Sequence, residues 1–270
     1  MAPERRPAAS KWVTVGPSQG RGLGRLFCLP FAGGGSSAYY QWTKRILPDI
    51  EVIRVNLPGR ETRLREAPFN RMAPLVNTLV EELSIWMDRP FAFYGHSMGA
   101  LIAFELAREL RRRRCPTPAH LFVSAYRAPH LPPSQPPFSH LPDAEFIDRV
   151  RQYGGVPDLV AQNEELMEIF LPILRADFEM TENYVYKEEA PLECPFTAFG
   201  GLSDPKVSRD RIVAWRMHTS VNFGVHFFPG GHFFIQDSQP QILNRINLRA
   251  AESLLVSRSF SGVRYRHGGY

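Results

Sequence analysis

The stretch Tyr94-Gly95-His96-Ser97-Met98-Gly99-Ala100 decides how the rest of the chain is read. It has the form Gly-x-Ser-x-Gly. The apolar run before it, Phe91 to Tyr94, predicts a short buried strand. The segment after it, Ala100 to Ala107, consists largely of good helix formers with apolar residues at i, i+3 and i+4. Strand, tight turn and helix are the setting in which this motif presents a serine at a sharp elbow. The residues flanking such a turn must be small, and Gly95 and Gly99 have no Cβ to clash where strand and helix pass closely. Ser97 then stands at the carboxyl end of a strand and the N-terminus of a helix, where an oxyanion meets free N–H groups and the positive end of the helix dipole.

On the N-terminal side, Trp12 to Val15 reads as an edge strand and Arg25 to Phe31 as a buried one. The latter ends in Ala32-Gly33-Gly34-Gly35-Ser36-Ser37, backbone that must approach something closely or turn through positive φ. No phosphate-binding or dinucleotide-binding spacing accompanies these glycines, so nucleotide binding is not expected. Ser36 or Ser37 is placed to cap a helix over 38–47. Residues 51–57 predict a further strand and 71–88 a helix. Beyond the elbow, the helix runs to about Arg114, where Arg111 to Arg114 complement its dipole, and His120 to Ala125 predicts another strand.

Strands alternating with helices predict an α/β fold, a mostly parallel sheet covered on both faces. The alternation stops at 127–142, which hold six of the chain's 24 prolines. Helical patterns follow at 143–153 and 161–186 with no strand between them. This insertion, spanning about 127–190, reads as a helical lid whose Phe138, Phe146, Leu159, Phe170, Phe178 and Tyr184 either line an acyl pocket or pack the lid onto the sheet. Alternation resumes with strands at 194–201 and 222–228 and helices at 208–218 and 239–255. A single domain over 11–255 is expected, with disordered tails at 1–10 and 256–270.

Composition narrows the class. The 270 residues are 44% hydrophobic and carry a net charge of +5, which serves solubility and also suits an acidic protein partner. The three cysteines, Cys28, Cys115 and Cys194, are far apart and show no C-x-x-C spacing. Neither a disulfide framework nor a metal site is expected, and a cytoplasmic location fits. No apolar run approaches the roughly 18 residues of a membrane span, and the N-terminal residues lack the apolar core of a signal peptide.

Serine needs an adjacent base, usually histidine, itself oriented by a carboxylate. In the α/β-hydrolase fold these follow in the order serine, acid, histidine, each after a strand. Ser97, Asp204 and His232 appear in that order, each beyond a predicted strand. The competitors are placed less well: His226 lies inside a strand, His218 ends a helix, and His96 adjoins Ser97 too closely to serve as an in-line base. Asp210 sits in a helix and Asp237 follows the histidine. An oxyanion formed at the elbow is held by the N–H of the residue after the serine, Met98, and by one from an earlier strand's loop. That loop is the glycine-rich turn, and its expected donor is Ala32.

LPFAGGGSSAYYQW (29–42), NLPGRETRLREAPF (56–69), FYGHSMGALIAFELAREL (93–110), LPILRADFEMTENYVY (171–186), GGLSD (200–204) and GGHFFI (230–235) together resemble the type II thioesterases of polyketide and nonribosomal peptide synthesis. They are similar also to animal medium-chain acyl-carrier thioesterases. The resemblance implies an α/β-hydrolase fold and editing hydrolysis of acyl groups from the phosphopantetheine thiol of a carrier protein. It implies acyl or peptidyl carrier partners, no separate cofactor, and no nucleic acid or membrane. The alternatives are a free-standing carboxylesterase or lipase on oxygen esters, a chain-terminating macrocyclase, and a catalytically silent binding protein of the same fold.

Overall fold

A computed structural model describes residues 10–16, 22–154 and 164–255. The tails expected at 1–10 and 256–270, apart from Ser10, lie outside these residues, as does Leu159. Seven strands, β1 (Val13–Val15), β2 (Gly24–Leu29), β3 (Ile50–Val55), β4 (Phe91–His96), β5 (His120–Ser124), β6 (Phe196–Gly201) and β7 (Phe223–Phe228), form one sheet in the order β1-β3-β2-β4-β5-β6-β7. The edge strand β1 runs antiparallel to β3, and every other pairing is parallel. Among the described residues the α-helices are α1 (Met72–Leu83), α2 (Met98–Arg112), α3 (Asp143–Arg151), α4 (Glu164–Glu182), α5 (Arg209–Val213), α6 (Phe234–Asp237) and α7 (Gln239–Ala250).

The period of two in β4 shows why the sheet is covered twice. Phe91 and Phe93 point into one core with Phe27, Leu79, Leu101 and Leu106 of the α1/α2 face. Ala92 and Tyr94 point into the other, with Trp42, Phe122, Ile242 and Ile246 of the α7 face. A strand buried on both faces has to be apolar throughout, which is why it reads as a continuous run. Each fully buried aromatic ring contributes about 1.5–3 kcal/mol.

A third, smaller cluster belongs to the insertion between β5 and β6. Phe138, Phe146, Val150, Leu174 and Phe178 pack together, with Phe170 against them. Tyr184 does not join them. It packs against the α1/α2 core, and its hydroxyl donates to Glu105 Oε1 at 2.7 Å. The helix expected over 38–47 is a 3-10 helix, Ser36–Lys44, and neither serine side chain caps it. Glu61 does so from across the loop, accepting from the N–H groups of Ser36 and Ser37 at 3.0 and 2.9 Å. The arginines ending α2 also find carboxylates: Arg111 and Arg112 reach Glu189, and Arg113 reaches Glu109.

Candidate active site

The elbow has the predicted form. Strand β4 ends at His96, helix α2 begins at Met98, and Ser97 between them sits at φ 51°, ψ −122°. Such a conformation is strained for any residue with a Cβ. It is held by the Ser97 N–H donating to Ser124 O at 2.7 Å and the Ala100 N–H donating to Ser97 O at 2.9 Å. The flanking glycines are required sterically. A Cβ on Gly95 would lie 2.5 Å from the Ala100 backbone nitrogen and nearer still to the Gly99 carbonyl. One on Gly99 would press on the carbonyls of Leu29 and Pro30.

Asp204 follows β6 and His232 follows β7, so parallel strands deliver both to the edge where β4 delivers Ser97. His232 Nε2 lies 2.9 Å from Ser97 Oγ, and His232 Nδ1 lies 2.9 Å from Asp204 Oδ2. Both partner side chains are almost wholly buried. The other carboxylate oxygen, Asp204 Oδ1, accepts from the N–H groups of Lys206 and Val207 at 2.8 and 3.2 Å, which fixes the carboxylate plane toward the imidazole. A histidine held in one tautomer by a buried carboxylate and hydrogen-bonded to a serine can take the serine proton, while the carboxylate stabilises the resulting imidazolium.

None of the rival histidines reaches Ser97. His96 turns inward, with Nδ1 2.9 Å from Ser124 Oγ and its ring 5.7 Å from that of His232. Burial, reinforced by His232, holds its pKa well below the ordinary histidine value. His218 is spent on His130, at 2.8 Å, and His226 stacks on Phe199 within β7. Asp210 sits in the first turn of α5, and Asp237 ends α6.

A cavity of about 100 Å³ opens on Ser97 and His232, lined also by Ala32, Met98, Phe138 and Phe178. The two expected oxyanion donors thus belong to residues bordering the space beside the serine. Met98 is the first residue of α2, where backbone N–H groups lack intrahelical carbonyls. Phe138 and Phe178 face the cavity, whereas Phe146 stays in the cluster behind them.

Some neighbours went unseen in the sequence. Tyr153 meets the His232 ring edge-on at 5.2 Å, and burial, with Tyr126, Glu182 and Asp204 adding to it, pushes its phenol pKa up. Arg127 lines the cavity with a buried Nη1 that has no hydrogen-bond partner. Arg60 and Asp177 form a buried ion pair beneath the glycine-rich loop. Their motifs, PGRETR and LRADF, stand out in the sequence, but nothing in their spacing tells that they meet.

The sheet order, the elbow and the two later strand ends define an α/β-hydrolase fold. Within that fold the chain belongs to the thioesterase domain family, whose model matches residues 24–249, and it is a hydrolase of the thioesterase class. It is 44% identical over 234 residues to the gramicidin S biosynthesis protein GrsT of Aneurinibacillus migulanus, covering 87% of this chain and 91% of that protein. The type II thioesterase BorB from the borrelidin biosynthetic cluster superposes with a TM-score of 0.82 at 32% identity, over 90% of this chain and 99% of that one. The RedJ thioesterase from the prodiginine pathway in Streptomyces coelicolor superposes with a TM-score of 0.80 at 38% identity, over 92% and 96%.

Proposed function

We propose that this protein is an editing thioesterase that clears stalled or wrongly primed acyl groups from the phosphopantetheine thiol of acyl or peptidyl carrier proteins in polyketide and nonribosomal peptide synthesis. The observation that carries the reading is the hydrogen-bonded chain from Asp204 through His232 to Ser97 at the elbow, in a protein of the thioesterase family. Its relatives' names add the setting: gramicidin, borrelidin and prodiginine biosynthesis.

Ser97 Oγ attacks the thioester carbonyl while His232 Nε2 takes its proton. The oxyanion is received by the N–H groups of Met98 and Ala32. The C–S bond breaks, and the pantetheine sulfur leaves with the proton held by His232, giving an acyl-Ser97 ester. A thiolate is a good leaving group, so this step asks less of the general acid than amide cleavage does. Water then loses a proton to His232 and attacks the ester, the acid departs, and the proton returns to Ser97. Asp204 orients the imidazole throughout. The pantetheine arm arrives as part of the substrate, so the chemistry calls for no cofactor of the protein's own. The net charge of +5 suits acidic carrier proteins. Among the described residues no helix is long and apolar enough to cross a membrane; the cytoplasmic site of action belongs to the proposal and follows from its carrier-protein substrates.

A fluorophosphonate probe followed by peptide mapping tests the nucleophile: the label belongs on Ser97 and disappears in S97A. Acyl-carrier thioesters compared with oxygen esters of the same acyl group test the substrate class. A clear preference for the oxygen esters would overturn the editing reading in favour of an esterase, and a folded protein that takes no label would favour a silent binding protein.

A further inference from the structure

The glycine-rich loop that offers Ala32 is held by charges, from two sides. Asp177, in the lid helix α4, accepts the Gly33 N–H at Oδ2 over 2.8 Å. The same carboxylate takes a two-pronged bond from Arg60, Nη1 to Oδ2 and Nη2 to Oδ1, each 2.9 Å. Arg60 Nη1 also donates to Gly34 O at 3.1 Å, and its Nε donates to Pro58 O at 3.3 Å. On the far side of the loop, Glu61 accepts from Ser36 and Ser37. Burial raises the Glu61 pKa, but the hydrogen bonds from Ser37 and Ser36 outweigh it and keep it below the ordinary carboxylate value. Gly33 itself is at φ +71°, and a Cβ there would lie 2.5 Å from Leu174 Cδ2 of α4. The lid helix therefore rests directly on the loop.

Arg60 and Asp177 are only 4% and 1% exposed. A buried ion pair is weak support for stability, since its desolvation cost consumes most of the attraction, and apolar residues of the same volume would serve the fold as well or better. Here both ions spend hydrogen bonds on backbone groups of the loop, at Gly33 and Gly34, one and two residues beyond Ala32. That is what positional control requires, because an oxyanion donor works only when it is preorganised at the right distance.

We infer that Asp177 and Arg60 are positioning residues for the oxyanion hole, setting the Ala32 N–H through Gly33 and Gly34, and that the seat of lid helix α4 is thereby a condition of catalysis. This rests on the reading of Ala32 as a donor. The loop is set only while Asp177 of α4 is in place, so lid and hole are one mechanical unit.

The test separates transition-state from ground-state binding. D177N keeps an acceptor for the Gly33 N–H but loses the charge that fixes it. Its kcat and KM on an acyl-N-acetylcysteamine thioester are measured beside the inhibition constants of an alkyl trifluoromethyl ketone, which forms an oxyanion on Ser97, and of the matching secondary alcohol, which does not. In the wild type the ketone should bind at least about 100-fold tighter than the alcohol. An absent preference there would refute the oxyanion-hole reading itself, whatever D177N does. Given that preference, D177N should lower kcat about tenfold and weaken the ketone by the same factor, with KM and alcohol binding within about twofold of wild type. A folded D177N whose ketone-to-alcohol ratio is unchanged would overturn the inference and leave the reaction as proposed. If D177N does not fold, R60Q/D177N, which leaves no lone buried charge, is judged by the same ratio. If neither variant folds, the pair holds the fold rather than the loop, and the inference is equally overturned.

Discussion

Replacing Gly95 by alanine adds one methyl group at the point where β4 and α2 cross. The new Cβ would sit 2.5 Å from the Ala100 nitrogen, where ordinary contact begins at 3.4 Å. The Gly99 carbonyl lies nearer still and all the opposing atoms are backbone, so no side chain can rotate away and the elbow must open by at least about 1 Å. Ser97 lies inside that elbow, and its Oγ is set 2.9 Å from His232 Nε2. A displacement of about 1 Å between reacting groups costs about 100-fold in rate. Forcing a methylene into a packed core costs a further 1–3 kcal/mol or so of stability, which lowers Tm by roughly 2–12 °C in a domain of this size. The assay is thiol release from an acyl thioester, with thermal unfolding on the same samples. G224A supplies the comparison, because a Cβ at Gly224 meets nothing nearer than 3.7 Å, and it should change neither quantity. A folded G95A with kcat/KM within about threefold of wild type would refute the argument, since the strain would then have relaxed without moving Ser97.

D204N should retain the bonds from the Lys206 and Val207 N–H groups but present an NH2 to His232 Nδ1, trapping the wrong tautomer. We expect kcat to fall about 10⁴-fold with Tm little changed, and a loss below tenfold would argue that another group orients the imidazole. Acid should destabilise the fold through His120 and His218, whose pKa values are lowered from 6.5 to about 3 and about 4, mainly by burial. The unfolded chain then binds more protons than the folded one, so stability falls as pH drops below about 6.5, by up to about 1.4 kcal/mol per unit for each ring. The decline from His218 ends near pH 4, and H218Q should flatten the Tm profile between pH 6 and 4; an unchanged profile would place the acid sensitivity elsewhere. Phe178 touches Phe138, Phe146 and Tyr153 at ring separations of 4.9, 5.8 and 5.4 Å and lines the cavity. F178A should cost about 3–5 kcal/mol and shift kcat/KM toward bulkier acyl groups, so unaltered selectivity on an acyl panel would remove Phe178 from the substrate path.

The sheet and the three strand-end residues were legible because they depend on local signals. A parallel strand buried on both faces reads as an apolar run, and parallel strands carry whatever follows them to one edge. Ser97, Asp204 and His232 therefore meet although 135 residues separate Ser97 from His232. The Arg60–Asp177 contact spans 117 residues and joins a loop to helix α4 of the β5–β6 insertion, and no periodicity encodes such a pairing. The capping of residues 36–44 failed for the same reason. The serines are the right residue type for a cap, but Glu61, 25 residues on, takes their N–H groups instead. Of the two roles open to Tyr184, lining a pocket or packing the insertion onto the sheet, the structure shows the second: Glu105 offers its hydroxyl a buried acceptor, and a partly buried phenol goes where its O–H is satisfied.

His96 shows how the fold restricts charge around the base. In the proposed mechanism His232, only 3% exposed, becomes a cation as Ser97 attacks, and the opposing charge of Asp204 offsets the cost. A second imidazolium at the 5.7 Å ring separation of His96 would oppose that step by about 3 kcal/mol at an effective dielectric of about 20. That is about two orders of magnitude in rate, comparable with the loss of an oxyanion donor. Burial counters the penalty by disfavouring the charged form of His96, whose pKa it holds well below the ordinary histidine value. His96 ends a strand, β4, that is buried along its whole length, and is itself wholly buried. The tight elbow that exposes Ser97 also turns His96 away from solvent.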